Sequence, residues 1–112
     1  MNNQEVFDIV WERAKDKRKA FSNENEFCKY RNEEGVACFV GVCIPDDTYN
    51  EDMEGHDFHN LIARFPVIKD IFKDCDSSFV KSLQVIHDSN EPKEWEELLR
   101  RKAVEQNLTV PA

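Results

Sequence analysis

The chain lacks the features that mark membrane and exported proteins. No stretch of its 112 residues approaches the roughly 18 to 20 consecutive apolar residues that a membrane helix needs. Its beginning, MNNQEVFDIVWER, places charges among the apolar residues, whereas a signal peptide has a continuous apolar segment. The sequence therefore predicts a cytoplasmic protein that does not engage a membrane.

Paired cysteines of the zinc-knuckle kind are also absent. The four cysteines, at positions 28, 38, 43 and 75, include no C-x2-C pair. Cytosolic thiols are kept reduced, so these cysteines are expected to be free rather than joined in disulfides. One metal arrangement stays open, in which Cys28 and Cys38 approach each other across a hairpin while His56 and His59 complete a zinc tetrahedron. The alternative, with no cofactor, has buried thiols that behave as small apolar residues and histidines that lie at the surface.

No set of catalytic residues has a recognisable spacing. The nearest approach to nucleophilic catalysis is Cys28 or Cys38 acting with His87, which Asp88 would hold. Because neighbouring residues of a helix point about 100° apart, Asp88 is not expected to orient His87. The alternative is a histidine that caps carbonyls at the C-terminal end of a helix. The sequence thus favours a noncatalytic protein over an enzyme.

Basic residues are too few to balance the acidic ones. The chain has 15 Lys and Arg against 23 Asp and Glu, a formal net charge of −8, and residues 32–97 alone carry 16 acidic residues against five basic ones. Such a surface repels phosphate backbones and attracts basic partners through a field that salt weakens. Direct nucleic-acid binding is therefore disfavoured. The basic cluster from Arg13 to Lys19 is expected to be the solvated end of a helix.

The apolar pattern predicts one domain over residues 1–112, with a hairpin near its centre. A first helix is expected over residues 3–20, with Asn2 or Asn3 as its cap, and a polar loop at 22–26. The β-prone runs Phe27–Arg31 and Val36–Ile44 are joined by NEEG, which suits a tight turn that places Asn32 opposite Val36. Gly41, inside the second run, marks a bulge or a close backbone approach.

Capping residues and prolines divide the second half of the chain into helices. Asp57 can cap a helix that Pro66 stops or re-aims, Asp76 or Ser77 can cap a longer one, and Pro92 suits the first turn of the last. The expected fold is α+β and helix-dominant, with one short antiparallel β-hairpin at about 27–44 packed against four or five helices.

Four motifs, taken in order, resemble a known family. They are CxYR at 28–31, GxxCxVG at 35–41, IPDxxY at 44–49 and LQxIHD at 83–88. In this order they resemble a family of small proteins of tailed bacteriophages and bacteria, over nearly the whole chain. The resemblance implies a phage or prophage accessory protein, which would act in the host cytoplasm, and brings no known reaction. Phe39 and Cys43 depart from the family pattern, and Cys43 is expected to fill the core.

A polar group beside the hairpin is the candidate binding surface. Arg31 lies in an otherwise apolar strand and is expected to pair bidentately with an aspartate of the Pro45-Asp46 turn. That pair would pin an acidic loop to the sheet. The expected binding surface consists of Tyr30, Arg31, Asp46, Asp47, Tyr49, Glu51, Asp52 and Glu54. The carboxylates lack the glycine-centred pattern of a calcium loop, which favours a solvated turn.

These features favour a noncatalytic protein that binds a host or phage protein with a basic surface, in a host-takeover or anti-defence role. A DNA mimic would be the extreme form, although 15 cations would interrupt a phosphate-like array. The alternative is a small metal- or ligand-binding module, or an enzyme, that uses Cys, His and Arg residues near the hairpin. An exposed apolar patch around Trp11 or Trp95 would equally support a homodimer.

Overall fold

A computed structural model describes residues 1–22 and 27–111. In these residues the chain forms a helix-dominant α+β fold, as predicted. The helices are α1 (Asn3–Arg13), α2 (Phe58–Arg64), α3 (Pro66–Ile71), α4 (Ser77–Ser89) and α5 (Trp95–Glu105), and the strands are β1 (Phe21–Ser22) and β2 (Phe27–Cys28). The two strands pair antiparallel, with Phe21 opposite Cys28 and Ser22 opposite Phe27. Residues 23–26 of the predicted polar loop lie outside the described residues.

The helix starts lie where the capping residues predict them. Asn2 caps α1 in a reciprocal arrangement with Glu5, while Asp57 and Asp76 accept backbone N–H bonds at the starts of α2 and α4. Pro66 occupies the first turn of α3, where its missing N–H costs nothing. The sequence therefore determines these boundaries locally.

The predicted end of the first helix is wrong, because α1 ends at Arg13 and not at residue 20. The Arg13 guanidinium donates to the carbonyls of Asp16, Arg18 and Ala37 at 2.8, 2.6 and 2.6 Å. Backbone groups that would continue a helix are thus bonded to a side chain that folds back over them. The basic cluster after Arg13 lies in this irregular segment.

The predicted hairpin at 27–44 is placed wrongly, because β2 pairs with β1 and residues 36–44 form no regular strand. The turn and its register are nevertheless as expected. The amide of Asn32 donates to the Val36 carbonyl at 3.0 Å, and the Cys38 amide donates to the Tyr30 carbonyl at 3.1 Å. An isolated bridge between Arg31 and Ala37 completes this short pairing.

Gly41 lies where the pairing ends and makes the close backbone approach that the sequence predicts. A Cβ at this position would lie 2.1 Å from the Tyr30 carbonyl oxygen, so the chain passes where no other residue fits. A 3-10 turn, Gly41–Cys43, replaces the strand. The amide of Val40 donates to Gln84 Oε1 at 3.1 Å and that of Gly41 to Cys38 Sγ at 3.2 Å, so side chains replace a strand partner.

The core joins apolar side chains of all five helices with the segment from Val36 to Ile44. Cys43 is buried in it, as expected for a core filler. Trp11 and Trp95 are only 7% and 0% exposed, so these two side chains do not form the exposed apolar patch that would support a homodimer. Trp11 lies against Phe7 and Arg100, while Trp95 packs on Phe39 and His87.

In the described part of the chain, no helix combines the length and the hydropathy that crossing a membrane requires.

Candidate functional site

The carboxylate of Glu54 ties the segment at 30–31 to the acidic loop, which we define as residues 45–57. Its Oε1 accepts the Tyr30 amide N–H at 2.8 Å. Its Oε2 accepts the Arg31 amide N–H at 3.0 Å and the Tyr49 hydroxyl at 2.6 Å. Hydrogen bonds to an ionised acceptor are among the strong ones, so these three bonds fix the loop firmly against the turn.

Arg31 makes a second tie from the same place. Its Nη1 contacts Asp46 Oδ1 at 2.7 Å, while Nη2 donates to the Ile44 carbonyl at 2.6 Å. The predicted pair with Asp46 is present, but it is not bidentate, because the second N–H bonds the backbone. The guanidinium also lies 4.8 Å from the centre of the Tyr49 ring, within cation–π range.

The loop is also ordered from within. Asn50 caps a 3-10 turn, Glu51–Met53, by accepting the Asp52 amide at 2.7 Å. Met53 enters the core with 2% of its surface exposed. The Tyr30 hydroxyl donates to the His56 carbonyl at 2.6 Å and holds the far end of the loop. Burial raises the pKa values of Tyr30 and Tyr49, so both phenols stay protonated donors.

The structure thus brings together five of the predicted surface residues, namely Tyr30, Arg31, Asp46, Tyr49 and Glu54. Tyr30 is buried, and Glu54 is half-buried with its oxygens in internal hydrogen bonds. These two residues therefore hold the surface in place and contribute little exposed area to it. Asp47, Glu51 and Asp52 are exposed on the same loop. Whether this set binds a partner stays a prediction.

The acidic loop lies in a stretch of the chain that carries only negative charges. Residues 32–63 contain eight Asp and Glu and no Lys or Arg, and all of these carboxylates except that of Glu54 belong to exposed residues. Some of them have internal partners. Asp46 pairs with Arg31, Glu33 accepts the Ser22 hydroxyl, and Asp57 caps α2. Glu34, Glu51 and Asp52 make no ion pair with any described residue, so their charge faces solvent.

A second polar cluster joins β2 to the end of α4. Within the described residues, Cys28, His87 and Asp88 are the one group of three potential ligands whose donor atoms all lie within 4.8 Å of one another. The structure does not bring together Cys28, Cys38, His56 and His59, the predicted zinc set. Cys38 is fully buried and accepts the Gly41 amide, and His59 is exposed on α2.

His87 is a core residue and does not match the alternative of a histidine that caps carbonyls at the C-terminal end of the helix. Its side chain is 0% exposed and packs against both Phe39 and Trp95, which also contact each other. The Ala20 amide donates to Nε2 at 3.2 Å, so the neutral ring carries its proton on Nδ1, which donates to Asp88 Oδ1 at 2.7 Å. The prediction that Asp88 does not orient His87 is therefore wrong. Nδ1 is the ring nitrogen nearest the main chain, so it reaches the adjacent carboxylate although the two Cβ atoms diverge.

This tautomer leaves the cluster poorly suited to zinc. A metal at Nδ1 would need the lone pair of that nitrogen, which would move the ring proton to Nε2. The Nε2 proton would then face the Ala20 N–H, and two donors would oppose each other inside the core. The bonds that orient His87 thus compete with its use as a ligand.

The thiols are also poorly suited to nucleophilic catalysis. Burial, with a contribution from the Asp88 carboxylate, raises the pKa of Cys28 to about 11. At Cys38 burial is the largest cause, and it raises the pKa of the thiol to about 12. Because the thiolate is the nucleophile, both groups are almost fully protonated near neutral pH. Of the two neighbours of Cys28 in the cluster, the Asp88 carboxylate opposes ionisation and His87 already has a partner on each ring nitrogen.

A cleft of about 660 Å³ opens between the acidic loop and α4. Its walls are residues 27–30 on one side, 54–58 on the second and the α4 residues Lys81, Gln84, Val85 and Asp88 with Ser89 on the third. The cleft therefore adjoins the Glu54 network and the Cys28–Asp88 contact. Sequence reasoning missed it, since three segments distant in sequence form it and none of them carries a motif for a ligand.

No family model, curated protein or solved structure matches this chain.

Proposed function

We propose that this protein acts without catalysis and binds a basic surface of another protein through the acidic loop. The observation that carries the proposal is the Glu54 and Arg31 network. In this network two charged side chains fix a loop on which Asp47, Glu51 and Asp52 are exposed. A preorganised surface loses little entropy on binding, and its charge steers an oppositely charged partner.

Two further observations support binding over chemistry. The thiols that could have served as nucleophiles have raised pKa values, and both nitrogens of His87 are bonded inside the core. The net charge of −8 favours a basic protein over nucleic acid as the partner. The motif resemblance to phage and prophage proteins adds that the partner is a host protein met in the cytoplasm, as in host takeover or defence evasion.

The test is capture of proteins from a bacterial lysate on the immobilised chain at low and at high salt, with quantification by mass spectrometry. We expect proteins with basic surfaces to be retained at about 50 mM salt and released above about 300 mM, because screening weakens exposed charge pairs. A loop variant tests the source of the charge. It combines Asp47→Asn, Glu51→Gln and Asp52→Asn in the acidic loop with Glu34→Gln in the turn at 32–36.

A matched control variant removes the same number of charges elsewhere. It combines Asp70→Asn, Asp74→Asn, Glu94→Gln and Glu105→Gln, all at exposed residues outside the loop. Capture should be lost in the loop variant and kept in the control variant. Equal loss in both would mean that net charge alone drives binding, and full retention in the loop variant would refute the proposed surface.

A further inference from the structure

We propose that the cleft beside the acidic loop receives one aromatic or aliphatic side chain of the basic partner, while cations on either side of that anchor contact the acidic loop. This inference rests on the proposed function and specifies the partner further. The acidic loop alone would attract any basic protein, whereas the loop and the cleft together would select a basic segment with an apolar anchor.

Two exposed apolar side chains face the cleft from different elements. Phe27 on β2 is 47% exposed and Val85 on α4 is 57% exposed, and both line the cleft. They belong to the five large apolar residues that are exposed in the described part of the chain. Phe58 and Tyr30, both buried below them, add apolar surface at the base. Covering these groups would remove apolar surface from water, which is favourable in proportion to the area.

The volume of the cleft suits such an anchor. About 660 Å³ is within the range of pockets that hold small ligands or side chains. Apolar anchors that fill preformed pockets are the residues that carry most binding energy at protein interfaces. The walls are themselves held in place, since Glu54 fixes the loop and His87 bonds the segment before β1.

The charges place the partner's cations on the loop and not inside the cleft. Lys29 and Lys81 line the cleft and form no ion pair with any described residue, so they repel a cation placed there. Asp88 already accepts from His87 and Gln84, and Asp57 already caps α2. Exposed carboxylates that form no ion pair lie on the rest of the acidic loop, which continues along the chain from the cleft wall at Glu54. The lysines can instead donate to backbone carbonyls next to the anchor.

Synthetic peptides test this arrangement on the intact chain. The reference peptide has a central tryptophan flanked by two arginines on each side; its variants replace tryptophan with serine, or the arginines with glutamates. Binding is followed by the amide resonances of the ¹⁵N-labelled protein. We expect the reference peptide to shift the resonances of Cys28, Gly55 and Val85. Replacement of its tryptophan by serine should weaken binding about tenfold, as loss of a buried aromatic group requires.

Variants of the cleft separate it from the acidic loop. Phe27→Ser and Val85→Ser should each weaken the reference peptide about fivefold to tenfold and leave the serine peptide unchanged. Val104→Ser, at a residue 79% exposed on α5 and outside the cleft, is the matched control and should change nothing.

Each other result overturns one of the two claims. Equal affinity for the tryptophan and serine peptides, with both weakened by the loop variant, would refute the anchor and leave the acidic surface intact. Tighter binding of the glutamate peptide would mean that Lys29 and Lys81 make the cleft a site for anions. If no arginine peptide binds, or if the loop variant binds it as well as the unmodified chain does, the proposed function itself fails.

Discussion

At the scale of single residues, His87 shows how a polar group is accommodated in this core. The ring is fully buried, yet each nitrogen has a partner, and the aromatic rings of Phe39 and Trp95 pack against it. A buried group with both bonds satisfied costs little, whereas a buried positive charge costs much more. Burial accordingly lowers the pKa of His87 below its usual value, although Asp88 acts in the opposite direction.

A pH dependence of stability follows from this lowered pKa. In acid the unfolded chain takes up a proton on His87 before the folded chain does, so the free energy of unfolding should fall as the pH drops below about 6.5. Above that pH the contribution should be fully present. His87→Gln, whose amide oxygen can still accept the Ala20 N–H, should lose this dependence.

Urea unfolding between pH 8 and pH 5 checks this prediction. The quantity to follow is the difference in unfolding free energy between the unmodified chain and His87→Gln, since the other titrating groups cancel. A difference that stays constant over this range, or grows in acid, would contradict the lowered pKa of His87 in the folded chain.

Gly41 makes a second prediction at this scale. In Gly41→Ala the new Cβ would lie 2.1 Å from the carbonyl oxygen of Tyr30 and 2.8 Å from its carbon, both backbone atoms that cannot move alone. We expect a loss of about 3 kcal/mol in unfolding free energy, from forced displacement of packed backbone.

Gly35→Ala provides the comparison, because Gly35 has φ of +78° with nothing within 4 Å of the new Cβ. Only backbone strain of about 1 to 2 kcal/mol should result there. Denaturant midpoints of the two variants decide the matter. A smaller loss at Gly41 than at Gly35 would show that the close approach to Tyr30 is not as described.

At the scale of elements, the acidic loop behaves as an irregular segment that one carboxylate holds in place. Glu54→Gln keeps the shape of the side chain but replaces one acceptor oxygen by an NH₂ donor. The Tyr30 amide bonds Oε1, whereas the Arg31 amide and the Tyr49 hydroxyl bond Oε2, so in either orientation the new NH₂ group would face at least one donor. We expect about 1 to 3 kcal/mol of destabilisation, the cost of an unsatisfied partly buried group.

Hydrogen exchange gives this prediction its specific readout. The amides of Tyr30 and Arg31 should lose protection in Glu54→Gln ahead of the amides in α4 and α5. Glu51→Gln, on the same loop but at an exposed residue, should change stability by less than about 0.5 kcal/mol. Unchanged protection at residues 30 and 31 would show that Glu54 does not hold the loop.

Local signals explain how much of these elements the sequence predicts. The helix starts are visible in the sequence, because the caps Asn2, Asp57 and Asp76 bond amides only a few residues away. The turn register at 32–36 and the close approach at Gly41 are visible in the same way. The strand pairing is not visible in the sequence, because Val40 and Gly41 lie in a strand-like run but donate their amides to Gln84 Oε1 and Cys38 Sγ. The Gln84 partner depends on how α4 packs.

The candidate site divides in the same way. The grouping of Arg31, Asp46, Tyr49 and Glu54 is predictable because the residues lie within 24 positions and their charges and hydroxyl complement each other. The bond from His87 to Asp88 and the cleft are not, since they depend on α4 meeting β2 and on the orientation of a buried ring. Tertiary packing, and not local chemistry, sets these two features.

At the scale of the whole molecule, the charges divide into regions. The stretch from residue 32 to residue 63 has no Lys or Arg, whereas cations cluster at 13–19 and at 100–102, before β1 and on α5. Arg100 and Arg101 pair with Glu96 and Glu97 along α5, so that helix carries balanced charge. The acidic loop is therefore the region from which a directed negative field is expected.

Zero-length carbodiimide coupling of the protein to a captured partner tests this account most directly, because it joins carboxylates only to amines in contact with them. Adducts mapped by mass spectrometry should link Asp47, Glu51 or Asp52 to lysines of the partner and should disappear when salt is raised before coupling. Adducts that form mainly through the carboxylates of α5, or equally through carboxylates over the whole chain, would contradict it.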